Sequence, residues 1–88
     1  MSRQRSLEVI RQAEFVTIGE LVRLTGVRYS TLKFYTEEGL LPFEQAEENL
    51  TRRYRRQTSL QRIQKIRALR EAGRSIPEIK ALLGEKPG

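Results

Sequence analysis

The stretch Thr17-Ile18-Gly19-Glu20-Leu21-Val22-Arg23-Leu24-Thr25-Gly26-Val27-Arg28-Tyr29-Ser30-Thr31-Leu32-Lys33-Phe34-Tyr35-Thr36-Glu37-Glu38-Gly39-Leu40-Leu41 decides the fold. Thr17 and Glu20 stand at capping-box spacing, in which a hydroxyl and a carboxylate satisfy two free amides, so a helix is expected from Ile18. Ile18, Leu21 and Val22 share one face of it. Thr25 and Gly26 are expected to end it, because glycine enters the left-handed conformation without a Cβ clash. After a short turn, a second helix directs Leu32 and Tyr35 inward and leaves Tyr29, Ser30, Lys33 and Phe34 around its remaining surface. Gly39 stops that helix, and Leu40 and Leu41 return to the core. Two short helices joined this tightly have the layout of a unit that reads DNA, with an ordinary helical hairpin as the competing reading.

Composition narrows the function classes. Eighty-eight residues make one domain with a modest core and little room for a buried catalytic cavity. The chain has no His, Cys or Asp, which removes the usual general base, the thiol nucleophile and nearly all transition-metal ligands. No enzyme activity, no metal and no cofactor are therefore expected. The absence of cysteine suits a reducing compartment, and no apolar run is long enough to cross a bilayer. A cytoplasmic, nucleoid-associated protein is the expectation.

Net charge is +6, and its distribution says more than its sum. Residues 17–48 carry six Glu against two Arg and one Lys, whereas residues 49–74 carry eight Arg and one Lys against one Glu. The basic block starts as Arg52-Arg53-Tyr54-Arg55-Arg56 and continues through Arg62, Lys65, Arg67, Arg70 and Arg74. A guanidinium fork gives two hydrogen bonds to one anion and a phenol adds a third donor, so this mixture suits phosphate. A solvated helix face is the plainer reading of such a run.

Working outward from the helical pair, Ser6 caps a short N-terminal helix reaching about Phe15, with Leu7, Ile10 and Ala13 or Glu14 near one face. From Pro42 to Arg56 helical periodicity is lost, and a loop or two-stranded ribbon with an acidic tip (Glu44 to Asn49) is expected. Thr58 or Ser59 opens a long helix carrying Leu60, Ile63, Ile66 and Leu69, closed by Gly73. Ser75 and Glu78 form a second capping box with Pro77 in the first turn, launching a helix with Ile79, Leu82 and Leu83 inward. The chain thus divides into a helical extension over 1–16, a DNA-binding domain over 17–84 and a flexible tail over 85–88. The fold class expected is mainly α, with a short β-ribbon and an extra N-terminal helix.

The order of these pieces resembles the N-terminal domain of the mercury-resistance regulator (MerR) family. The residues that carry the resemblance are Ile18-Gly19-Glu20-Leu21, Thr25-Gly26-Val27, Thr31-Leu32-Lys33-Phe34-Tyr35, Gly39-Leu40-Leu41-Pro42, Arg52-Arg53-Tyr54, and Leu69-Arg70-Glu71-Ala72-Gly73 followed by Ser75-Ile76-Pro77-Glu78-Ile79. The resemblance implies a winged helix-turn-helix, with its second helix in the major groove, the short β-ribbon as a wing on the DNA backbone and a helical hairpin after them. It also implies an interface of Arg28, Tyr29, Ser30, Lys33, Phe34 and Tyr35 with Arg52, Arg53, Tyr54 and Arg55. Tyr29, Ser30 and Lys33 would reach base edges, while Arg28, Tyr35 and the four wing residues would hold phosphates.

Several positions depart from the family pattern. Arg28 stands where a capping serine is usual, which leaves open an uncapped start or a later one capped by Ser30. Ser30 replaces a usual arginine, Phe34 a frequent tyrosine, and Leu50-Thr51 the usual Gly-Tyr of the wing, with one extra residue before the next helix. Neither a dimerisation coiled coil nor an effector-sensing segment falls within these residues, so no small-molecule effector is expected. The partners expected are double-stranded DNA and, on it, cooperating copies or another protein. A transcriptional regulator is the leading reading; a small phage or plasmid excision or architectural factor, and a basic protein-interaction module, are the alternatives.

Overall fold

A computed structural model of the chain describes residues 4–48 and 50–84. The tail expected over 85–88 lies outside the described residues, as does Asn49 at the ribbon tip. The described elements run α1 (Leu7–Gln12), β1 (Phe15–Val16), α2 (Ile18–Thr25), α3 (Tyr29–Glu37), β2 (Tyr54–Arg55), α4 (Arg56–Glu71) and α5 (Ile76–Gly84). Their apolar faces converge on one core of Ile10, Val16, Leu21, Leu32, Tyr35, Leu40, Leu41, Tyr54, Ile63, Ile66 and Ile79.

Local chemistry sets most helix ends. The Thr17 hydroxyl accepts from the Glu20 amide at 3.1 Å, while the Glu20 carboxylate accepts from the Thr17 amide at 2.9 Å, closing the capping box of α2. Gly26, at φ 75°, then turns the chain out of α2 in the left-handed region that an L side chain resists. Ser75 and Glu78 repeat the box at the head of α5, at 3.3 and 2.9 Å. Leu82, expected inward on α5, is instead 46 % exposed, because Ile79 and Leu83 take the face turned to the core.

The N-terminal segment differs from a helix running to Phe15. α1 stops at Gln12 because Ala13 is extended, and Phe15–Val16 pair antiparallel with Tyr54–Arg55 in the register Phe15 to Arg55 and Val16 to Tyr54. The ribbon expected over 42–56 reduces to a single bridge between Glu44 and Arg53, whose amides donate to each other's carbonyls at 2.7 and 2.8 Å. β1 therefore supplies the partner strand of β2 that the ribbon was expected to supply itself.

The same contact moves the start of α4. It begins at Arg56, directly after β2, and not at Thr58 or Ser59. The Arg56 amide donates to the Glu14 carbonyl at 2.9 Å, and its Nε donates to the Ala13 carbonyl at 2.7 Å. Ser59 becomes an interior helix position, 1 % exposed. A helix start satisfied from a distant strand needs no capping side chain of its own.

Candidate nucleic-acid interface

α3 begins at Tyr29 after Arg28, which makes no side-chain cap bond, so Ser30 is a first-turn residue and not the cap. Burial of Leu32, Tyr35 and Thr36 fixes the phase of the helix and outweighs the missing cap. The remaining surface then carries Tyr29, Lys33 and Glu37 in one row and Ser30 and Phe34 in the next, all exposed. Arg28 is exposed at the start of the helix. The Tyr35 ring is buried, but its hydroxyl has no hydrogen-bond partner among the described residues, and no buried side-chain polar atom there lacks one. That hydroxyl is therefore open to solvent.

A shallow cleft of about 460 Å³ joins this arc to the helical hairpin, lined by Ser30, Thr31, Phe34, Tyr35, Arg70 and Ile76. Arg70 belongs to the basic block of the sequence but was not expected beside α3. Its place there follows from the crossing of α4 behind the helical pair.

The four wing residues do not act as one set. Tyr54 is wholly buried, and its hydroxyl lies 3.0 Å from that of Thr36, which donates to the Leu32 carbonyl at 2.9 Å. Thr36 has one proton to give, so Tyr54 must be the donor of the shared bond. This corrects the phosphate-holding role expected of Tyr54: it is a core residue that ties β2 to α3. Strand alternation then separates the arginines. Arg52 lies on the α3 side, its Nη1 3.2 Å from Glu37 and its guanidinium 4.6 Å from the Phe43 ring centre.

Arg53 and Arg55 lie on the outer face of the small sheet, at 4.3 and 4.9 Å from the Phe15 ring centre. Arg55 is also held by Glu44 at 3.1 Å and Glu14 at 3.3 Å. Arg53 forms neither an ion pair nor a side-chain hydrogen bond among the described residues. Phe15, Glu37, Phe43 and the carboxylates around Arg55 were not expected at this surface; helical spacing from Lys33 could have found Glu37, whereas spacing along the chain offers no signal for the others. The folding of residues 14–16 onto 53–56 brings in Glu14 and Phe15, and the bridge between Glu44 and Arg53 brings in Phe43 and Glu44.

Behind α2, Arg5 grips Glu20 with both prongs at 2.7 Å and reaches the Phe15 carbonyl at 3.1 Å. The Arg5 fork holds the Glu20 carboxyl below its ordinary range; partial burial opposes this and the Thr17 amide reinforces it. Bonds from the Ser75 amide and hydroxyl lower the Glu78 carboxyl in the same direction.

Two packed helices with a tight glycine turn, an exposed second helix and a basic loop beside it define the winged helix-turn-helix class of DNA-binding domains. Residues 16–86 match the model of the MerR HTH family regulatory protein, and the chain belongs to that family. The family consists of DNA-binding transcription regulators, not enzymes. Over 72 residues the chain is 40 % identical to the HTH-type transcriptional activator SoxR homolog of Chromobacterium violaceum, covering 82 % of this chain and 47 % of that protein. Over 63 residues it is 46 % identical to the nodulation protein NolA of Bradyrhizobium elkanii, covering 72 % of this chain and 28 % of that protein. The chain thus spans about half or less of the length of these relatives. No solved structure matches it. No helix among the described residues is long and apolar enough to cross a membrane.

Proposed function

We propose that this chain binds double-stranded DNA sequence-selectively, as a transcription regulator that sets α3 in the major groove and rests its wing on the backbone. The observation that carries this reading is the exposed arc of α3, where Tyr29, Ser30 and Lys33 stand clear of the core with Arg28 at one end and Arg52 beside the other. Lys33 is the best donor to guanine in this set, and the short Ser30 accepts or donates according to the base it meets. Arg28, Arg52, Arg53 and the open Tyr35 hydroxyl supply backbone contacts, and Arg70 adds a cation next to α3. Arg55 contributes less, since two carboxylates already occupy it.

One domain presents one α3, so occupancy of a long site calls for neighbouring copies on the DNA or for a second protein. The test is selection from a pool of random duplexes, followed by titration of the enriched sequence at several salt concentrations. An enriched motif and a slope of log affinity against log salt of about −3 to −5 are expected for four or five neutralised phosphates. Absence of any motif, together with a slope near zero, overturns the reading.

A further inference from the structure

We propose that Phe15 is a positioning residue for the wing, its ring holding the Arg53 guanidinium in place to meet a backbone phosphate. The inference rests on the DNA-binding reading above. Phe15 lies one residue ahead of the stretch that matches the family model. It sits in β1, directly across from Arg55 and diagonal to Arg53 on the outer face of the sheet.

The two arginines that share this ring differ in what else binds them. Glu44 engages Nε of Arg55 and Glu14 engages its Nη1, so two of its donor nitrogens are taken. Arg53 lies closer to the ring, at 4.3 Å, and among the described residues has no acceptor for its side-chain donors. A ring and a carboxylate restrain a guanidinium in different ways. The carboxylate uses the N–H fork that a phosphate needs, whereas the ring attracts the cation through its π-face and leaves that fork available. Stacking thus removes orientational freedom that binding would otherwise have to remove, without competing for the donors. The pairing of β1 with β2 sets the distance between ring and cation, and the bond from Arg56 Nε to the Ala13 carbonyl at 2.7 Å fixes the chain on the other side.

The test compares the full chain with Phe15→Leu and Phe15→Tyr, alone and combined with Arg53→Ala, in titrations against the selected duplex and a random duplex. Phe15→Leu is expected to weaken both complexes about three- to ten-fold, with Phe15→Tyr restoring the affinity. In the Arg53→Ala background Phe15→Leu should have no further effect. The Arg53 Nε–H proton should carry an upfield ring-current shift in the wild-type chain that vanishes in Phe15→Leu and returns in Phe15→Tyr. Wild-type affinity in Phe15→Leu, or an equal loss with and without Arg53, overturns the proposal while leaving DNA binding intact. A wild-type chain that binds no duplex overturns the DNA reading and this proposal with it.

Discussion

At the scale of single residues, burial separates roles that sequence alone merges. Tyr54 and Arg53 are neighbours in a basic run, yet one is wholly inside and the other outside. Tyr54→Phe removes one buried hydrogen bond and should cost about 1 kcal/mol in urea denaturation, with the salt slope of DNA binding unchanged. A shallower slope with no loss of stability would return Tyr54 to the phosphate-contacting set. Lys33→Ala should erase about 1 to 3 kcal/mol of discrimination between the selected duplex and random DNA. Arg52→Ala should instead weaken both complexes alike and flatten the slope by about one. Equal effects of the two changes on cognate and random duplexes would contradict this division. The exposed arc of α3 was legible in the sequence in part, because helical spacing alone turns Ser30 and Lys33 away from Leu32 and Tyr35. The double occupation of Arg55 was not legible, since Glu14 and Glu44 approach it from separate segments.

At the scale of elements, helix starts were readable where the satisfying group lies within four residues and unreadable where it does not. The boxes of Thr17 with Glu20 and Ser75 with Glu78 form as their spacing implies. The start of α4 escaped because the carbonyl that satisfies its Arg56 amide belongs to Glu14, in a distant segment of the chain. Arg28 and Arg55 both precede helices without capping them, and packing supplies what local chemistry lacks. The Glu20 carboxylate, gripped by Arg5 and tied into the α2 box, also gives stability a pH dependence. Glu20 releases its proton more readily in the folded chain than in the unfolded one, so the unfolded state binds more protons in acid. Its contribution is complete above the ordinary carboxylate range and is lost as pH falls through the depressed folded value. Denaturation midpoints should therefore drop below roughly pH 4.5, and Glu20→Gln should flatten that decline while lowering stability at neutral pH. An unchanged acid limb in Glu20→Gln would remove this carboxylate from the account.

For the molecule as a whole, the segment before residue 17 is part of the domain core. Ile10 is completely buried, and β1 is the strand on which β2 rests. In a domain of this size, net stability is only several kcal/mol, so Ile10→Ala, at about 2 to 5 kcal/mol, should remove a large share of it. Hydrogen exchange should then show early loss of protection at the Arg56 amide, which bonds to the Glu14 carbonyl. Preserved protection there would mean that β1 holds without α1. Nothing in the spacing announces this dependence: a six-residue helix with exposed Leu7 and Val9 reads as an appendage, and only Ile10 reaches inward.

The hydroxyl chain from Tyr54 through Thr36 to the Leu32 carbonyl couples α3 directly to β2. In the proposed mode, with both on one duplex, this coupling resists hinging of the protein, so a mismatch between groove and strand spacing falls more on bending of the DNA. The domain would then act as a calliper, rejecting stiff sequences of the wrong width even where every base it touches is correct.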